Sequence, residues 1–183
     1  YAAKLLLENR LHETLCLFGY QDIQTPTFEY FDVFSKETGT TPSGQLYKFF
    51  DREGDTLVLR PDFTPSCARC CAKYFVEEDR PVRFTYSGNT FVNISNLQGK
   101  LREATQMGAE LMMDASVEAD AEMICLIVEA LKNSGLTDFQ ITVGQVEYFK
   151  GVCSQAGLEE SVIQNLRDAI STKNYFGAKQ LLE

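Results

Sequence analysis

Histidine is nearly missing from this chain of 183 residues: His12 is the only one, against six cysteines. That scarcity weighs against zinc, because three of the cysteines crowd into 67-CARCC-71, far in sequence from His12, and no second ligand pair stands at suitable spacing. It also removes the base that a serine or cysteine nucleophile would want, since His12 sits on a helical pattern with no motif around it. Basic residues are in the minority, 17 against 26 acidic, for a net charge of -9, so non-specific attraction to a phosphate backbone is not expected. Long apolar runs are absent; none approaches the roughly 18 residues of a membrane span. The first residues lack the basic, apolar, small-residue order of a signal peptide, so no membrane association and a cytoplasmic location are expected. The phosphate-cradling patterns G-x-x-x-x-G-K-[ST] and G-x-G-x-x-G do not occur. No internal repeat, low-complexity stretch or Pro/Gly linker divides the chain.

What is present suits a globular α+β domain: 44% apolar and 23% charged residues. Leu7, Leu11, Leu15 and Phe18 fall at helical spacing over residues 2–18, with Gly19 placed to stop the helix. A short strand over 22–26 ends at Pro26, and 28-FEYFDVFSKETG-39 reads as a helix. The runs 46-LYKFF-50 and 56-TLVLR-60, joined by a turn-rich linker, form a hairpin. Pro65 suits the first turn of a helix running to about Phe75. Residues 82–92 and 101–113 predict two adjacent antiparallel strands, followed by a long helix to Asn133, a strand over 138–144, and helices over 146–156, 159–171 and from Asn174. One domain over 1–183, built on a mainly antiparallel sheet flanked by helices, is expected. The helical, uncapped stretch 178-AKQLLE-183 implies that the protein continues past it. Cys67, Cys70 and Cys71 occupy one helical stripe and read as core, as do Cys16, Cys125 and Cys153.

Strand alternation over 102–112 turns Gln106, Gly108 and Glu110 to one face and Met107, Ala109 and Leu111 to the other. The second face is apolar and packs on helices. The first offers an amide and a carboxylate separated by a glycine, a floor able to hold an ammonium or imidazole group; the plainer reading is a solvated sheet face. The stretch 59-LRPDFTPSCAR-69 places Asp62 and Thr64 in a proline-framed bend at a strand end, where rigid polar groups serve small ligands. Helix capping explains the same two residues equally well.

Taken in order, 18-FGYQDIQTPTFE-29, 59-LRPDFT-64, 102-REATQMGAE-110 and 141-ITVGQVEYFKG-151 resemble the class II aminoacyl-tRNA synthetase core of histidyl-tRNA synthetase. Within that superfamily they look most like the non-synthetase family of ATP phosphoribosyltransferase regulatory subunits. The resemblance implies an antiparallel sheet flanked by helices and a dimer-forming segment ending at Pro26. It also implies that Asp62, Thr64, Gln106 and Glu110 hold histidine. A synthetase places an arginine directly after the phenylalanine of its second motif, to grip the α-phosphate of ATP. Here that position is Val92, in 91-FVNIS-95. Arg102 resembles a second arginine of that motif and remains a candidate phosphate contact, but losing one donor at a developing anion typically costs about two to three orders of magnitude in rate. The loop 93–100 is nearly free of charges for a triphosphate.

Three readings follow. In the first, the protein has no chemistry and no cofactor of its own, and joins the short-form catalytic ATP phosphoribosyltransferase subunit to support its activity and feedback by histidine, with tRNA not expected as a partner. In the second it is a divergent histidyl-tRNA synthetase that activates histidine with ATP. In the third it is an oligomerisation scaffold with a vestigial pocket.

Overall fold

The computed structural model describes residues 1–35, 41–94, 99 and 101–182. The chain divides into two compact units, Tyr1–Phe139 and Gln140–Glu183.

In the first unit, helix α1 (Ala2–Leu17) ends as expected: Gly19 takes φ +85°, its N–H reaches the Cys16 carbonyl at 2.9 Å, and Tyr20 N–H reaches that of Leu15 at 3.2 Å. Strand β1 (Gln21–Asp22) pairs in parallel with β5 (Val82–Phe91), which pairs antiparallel with β6 (Glu103–Met112). A second sheet is antiparallel throughout, ordered β2 (Phe28–Tyr30), β4 (Thr56–Leu59), β3 (Lys48–Phe50). The unit also holds α2 (Asp32–Ser35), α3 (Thr64–Tyr74) and α4 (Val117–Asn133).

The β5–β6 register pairs Tyr86 with Gly108, Gly88 with Gln106 and Phe84 with Glu110, so these six side-chain positions share one face. Against that face Phe63, Cys67 and Cys71 build a core with Phe84 and Tyr86. On the opposite face Met107 and Ala109 pack on Leu15, Tyr20, Leu126 and Met123, the apolar side that the alternation predicts. Phe34, Leu46 and Val58 form a further cluster beside the small sheet.

Two elements differ from expectation. Residues 28–30 are strand, because Phe28, Glu29 and Tyr30 pair with Leu59, Val58 and Leu57; the ladder overrides a helical spacing of aromatics. The expected end of that helix, at Gly39, lies outside the described residues. Residues 140–145 are irregular: alternation makes a strand only where backbone groups find a neighbouring strand, and none of the described strands pairs with them. Two of the six cysteines also depart from expectation. Cys67, Cys71 and Cys153 are buried and Cys70 is partly so, but Cys16 and Cys125 are exposed, since α1 and α4 carry more apolar positions than their buried stripes use.

The second unit holds α5 (Val146–Gln155), α6 (Glu160–Ser171) and α7 (Tyr175–Gln180) around Cys153, Leu166 and Ala178.

Candidate functional site

The four residues singled out from the sequence come together. Thr64, at the first position of α3, donates its hydroxyl to Glu110 Oε1 on β6 at 2.6 Å. Asp62 Oδ1 accepts the Thr64 backbone N–H at 3.3 Å and faces the Gln106 side-chain amide at 3.5 Å. Facing a carboxylate, that amide presents its NH2 end, which leaves its oxygen free. The capping explanation is partly met by Asp62 alone. The residue before the helix is Phe63, which has no polar side chain to cap α3, and Thr64, inside the first turn, donates its hydroxyl to Glu110.

Tyr86 is a site residue that the sequence reading missed. Buried on β5, it donates its hydroxyl to the same Glu110 Oε1 at 3.2 Å. Burial, with the Glu110 charge adding to it, raises the Tyr86 phenol well above its usual range and keeps it a neutral donor. Its available signal was Gly108, the cross-strand partner: a Cβ there would lie 2.6 Å from Tyr86 Cζ, so only glycine lets the ring cross β6. Beneath the floor the Cys67 thiol is pushed up to about 12 by burial, with Glu110 and Asp62 adding to the shift, which makes it an inert filler.

Among the described residues Asp62 Oδ2, the Gln106 amide oxygen and Glu110 Oε2 take no hydrogen bond, and the second N–H of the Gln106 amide makes none. Two carboxylates grouped around an amide suit a protonated amine or a doubly protonated imidazole, and repel a phosphate or carboxylate.

Val92 and Arg102, the positions that the resemblance links to phosphate, lie further along the hairpin. Val92 lies just beyond the end of β5, its N–H bonding to the Arg102 carbonyl at 2.9 Å. Continuing the β5–β6 register puts the two side chains opposite each other, on the face that carries Gln106. Arg102 is exposed and donates Nε to the Ile94 carbonyl at 3.1 Å. An apolar side chain thus faces the arginine where an anion clamp would need a second cation. Residues 95–98 and 100 of the neighbouring loop lie outside the described residues.

His12 stands apart from this site. Its Nε2 meets both Asp22 carboxylate oxygens, at 2.8 and 3.0 Å, and Cys16 Sγ lies 3.6 Å from the same nitrogen. The same sulfur lies 3.9 Å from Nδ1, and Cys16 and Asp22 are exposed, so the set is a surface pairing.

The family model described as histidyl-tRNA synthetase matches residues 2–183. Among curated relatives, a protein of Acetivibrio thermocellus named ATP phosphoribosyltransferase regulatory subunit is 40% identical over 177 residues, covering 97% of this chain and 42% of the relative. One of the same name from Thermoanaerobacter pseudethanolicus is 38% identical over 182 residues, covering all of this chain and 47% of the relative. The chain thus spans less than half the length of these relatives. A solved structure from Bacillus halodurans, described as an ATP phosphoribosyltransferase regulatory subunit/histidyl-tRNA synthetase, superposes with a TM-score of 0.90 at 34% identity, over 98% of this chain and 46% of that one. A histidine–tRNA ligase subunit from Alicyclobacillus acidocaldarius gives 0.86 at 25% identity, over 98% and 52%. With a synthetase-type antiparallel fold in hand and the family model matched from end to end, the chain belongs to the histidyl-tRNA synthetase family.

Proposed function

We propose that this protein is a regulatory subunit of ATP phosphoribosyltransferase, acting in the cytoplasm at the first step of histidine biosynthesis. It carries no catalysis of its own, supports the activity of the short-form catalytic subunit, and relays feedback by histidine. In this reading Asp62, Thr64, Gln106 and Glu110 hold histidine, and Arg102 is at most a remnant phosphate contact. The segment ending at Pro26 forms a homodimer, and tRNA is not a partner. The names of the relatives favour the reading. Among the described residues no helix is long and apolar enough to cross a membrane, in keeping with it.

The observation that carries the proposal is Val92, set opposite Arg102 on the face that holds the amine-type acceptors. Adenylation develops negative charge at a phosphate, and a clamp short of one cation loses most of its rate. The test is histidine-dependent pyrophosphate–ATP exchange by the purified whole protein, run beside reconstitution with a short-form catalytic subunit. The expected result is no exchange, with transferase activity and histidine inhibition appearing on mixing. Robust exchange would overturn the proposal in favour of a divergent histidyl-tRNA synthetase.

A further inference from the structure

Beneath the acceptor floor lies a column of three side chains that the proposed function does not use. Arg60 is 8% exposed and makes no ion pair among the described residues; it donates to the carbonyls of Asn89 at 2.8 Å, Thr25 at 3.0 Å and Pro26 at 3.2 Å. Burial lowers its pKa without bringing it near neutrality, since a guanidinium stays charged in proteins. Its guanidinium carbon stands 4.1 Å from the centre of the Phe63 ring. Phe63, 2% exposed, stacks on Tyr86 with ring centres 4.3 Å apart and planes 9° from parallel. The Tyr86 ring stacked on Phe63 and the guanidinium beside it together hold the Phe63 ring in place.

The sheet is opened for this column at two places. A Cβ at Gly108 would meet Tyr86, and a Cβ at Gly88 would lie 2.6 Å from Arg60 Nη2 and 3.0 Å from Phe63 Cζ. Both glycines sit on the face carrying Gln106 and Glu110, at consecutive positions of that face along the paired strands. The column ends on a hydroxyl bonded to the very oxygen that Thr64 holds.

We propose that Arg60, Phe63 and Tyr86 form a positioning column, in which Tyr86 and Thr64 both occupy Glu110 Oε1 so that Oε2 is presented to the ligand. A carboxylate free to rotate would offer either oxygen and adapt to ligands of several shapes. One pinned by two hydroxyls on the same oxygen presents the other in a fixed direction, and the column makes that direction a property of the fold. The ligand-directed part rests on the reading of residues 62, 64, 106 and 110 as a histidine floor; the pinning itself does not.

The experiment uses the whole protein and two variants. Tyr86→Phe keeps the stack and removes the hydroxyl, whereas Gly108→Ala keeps the hydroxyl and displaces the ring. Titration calorimetry with histidine is expected to show each variant binding about five- to tenfold more weakly, equivalent to about 1 kcal/mol or slightly more, while circular dichroism stays unchanged. In the ligand-free protein, proton NMR is expected to resolve a Tyr86 hydroxyl that is lost in Tyr86→Phe and moves upfield in Glu110→Gln, a shift that a packing role alone would not produce. Equal affinity of wild type and Tyr86→Phe overturns the column as a ligand-positioning device and leaves the histidine floor standing. No binding by wild type overturns the floor, and the hydroxyl then decides the pinning alone: moving with Glu110→Gln it supports it, and indifferent to Glu110 it overturns it.

Discussion

The Thr64 hydroxyl and the Glu110 carboxylate, 46 residues apart in sequence, meet at 2.6 Å. The bond goes with a place inside the helix and not at its cap: Phe63 is the residue before α3, and Thr64 turns its hydroxyl hydrogen to Glu110. Thr64→Val keeps the shape of the side chain and removes the donor, freeing Glu110 Oε1. Histidine affinity in calorimetry is expected to fall about tenfold. Thermal stability is expected to change by less than about 1 kcal/mol, since Thr64 is exposed and the oxygen freed on Glu110 can take water.

Gly88 tests the same architecture from the side of stability. Substitution by alanine brings a methyl within 2.6 Å of Arg60 Nη2 and 3.0 Å of Phe63 Cζ, in a region where Arg60 and Phe63 are buried and held by several bonds. The expected cost is about 1–3 kcal/mol, as for other overpacked interiors, read as a lower midpoint in urea with an unchanged slope. The same change at Gly44, where a Cβ meets nothing within 4 Å, is expected to be nearly silent.

How far the sequence could be read depended on what each signal measured. Gln106 and Glu110 were legible because a period of two assigns strand faces, and Asp62 and Thr64 because two prolines frame their bend. Tyr86 was not, because an aromatic in an alternating strand reads as core, and only its pairing with Gly108 shows what the ring does. The strand over 28–30 was hidden because local aromatic spacing suits a helix and the decision is made by β4, a non-local partner. Residues 140–145 show the converse: alternation without a partner strand yields no strand. Exposure of Cys16 and Cys125 was illegible because helical periodicity reports which residues share a stripe, and not whether anything covers it.

Val92 is the residue on which the proposed absence of catalysis turns. Arginine there would stand across the strands from Arg102 and make the second half of an anion clamp, at the cost of like charges facing each other. For Val92→Arg, calorimetry with a non-hydrolysable ATP analogue is expected to show affinity rising about tenfold at low salt and returning towards the wild-type value near 0.5 M salt, as screening dictates. Affinity unchanged by the substitution would mean that Val92 is not what removes triphosphate binding.

The last prediction concerns pH. Arg83 reaches Glu122 through Nε at 2.8 Å and Nη2 at 2.7 Å, and the Tyr20 hydroxyl donates to the same carboxylate at 3.1 Å. The Arg83 hydrogen bonds hold the Glu122 carboxyl below its usual range, and burial, with Glu122 adding, pushes Tyr20 up to about 12. Because the folded-state value of Glu122 is depressed, its contribution to stability is complete above the ordinary carboxylate range and is lost as pH falls through the folded value. Arg83→Met is therefore expected to destabilise the protein by about 1–2 kcal/mol at neutral pH, a charge-assisted pair discounted for partial exposure. The deficit is expected to shrink as pH falls through the acid range, where wild type loses the same interaction. Urea midpoints for both proteins between pH 7 and pH 3 check this, and parallel curves across that interval would show that the Arg83–Glu122 pair is not what ties β5 to α4.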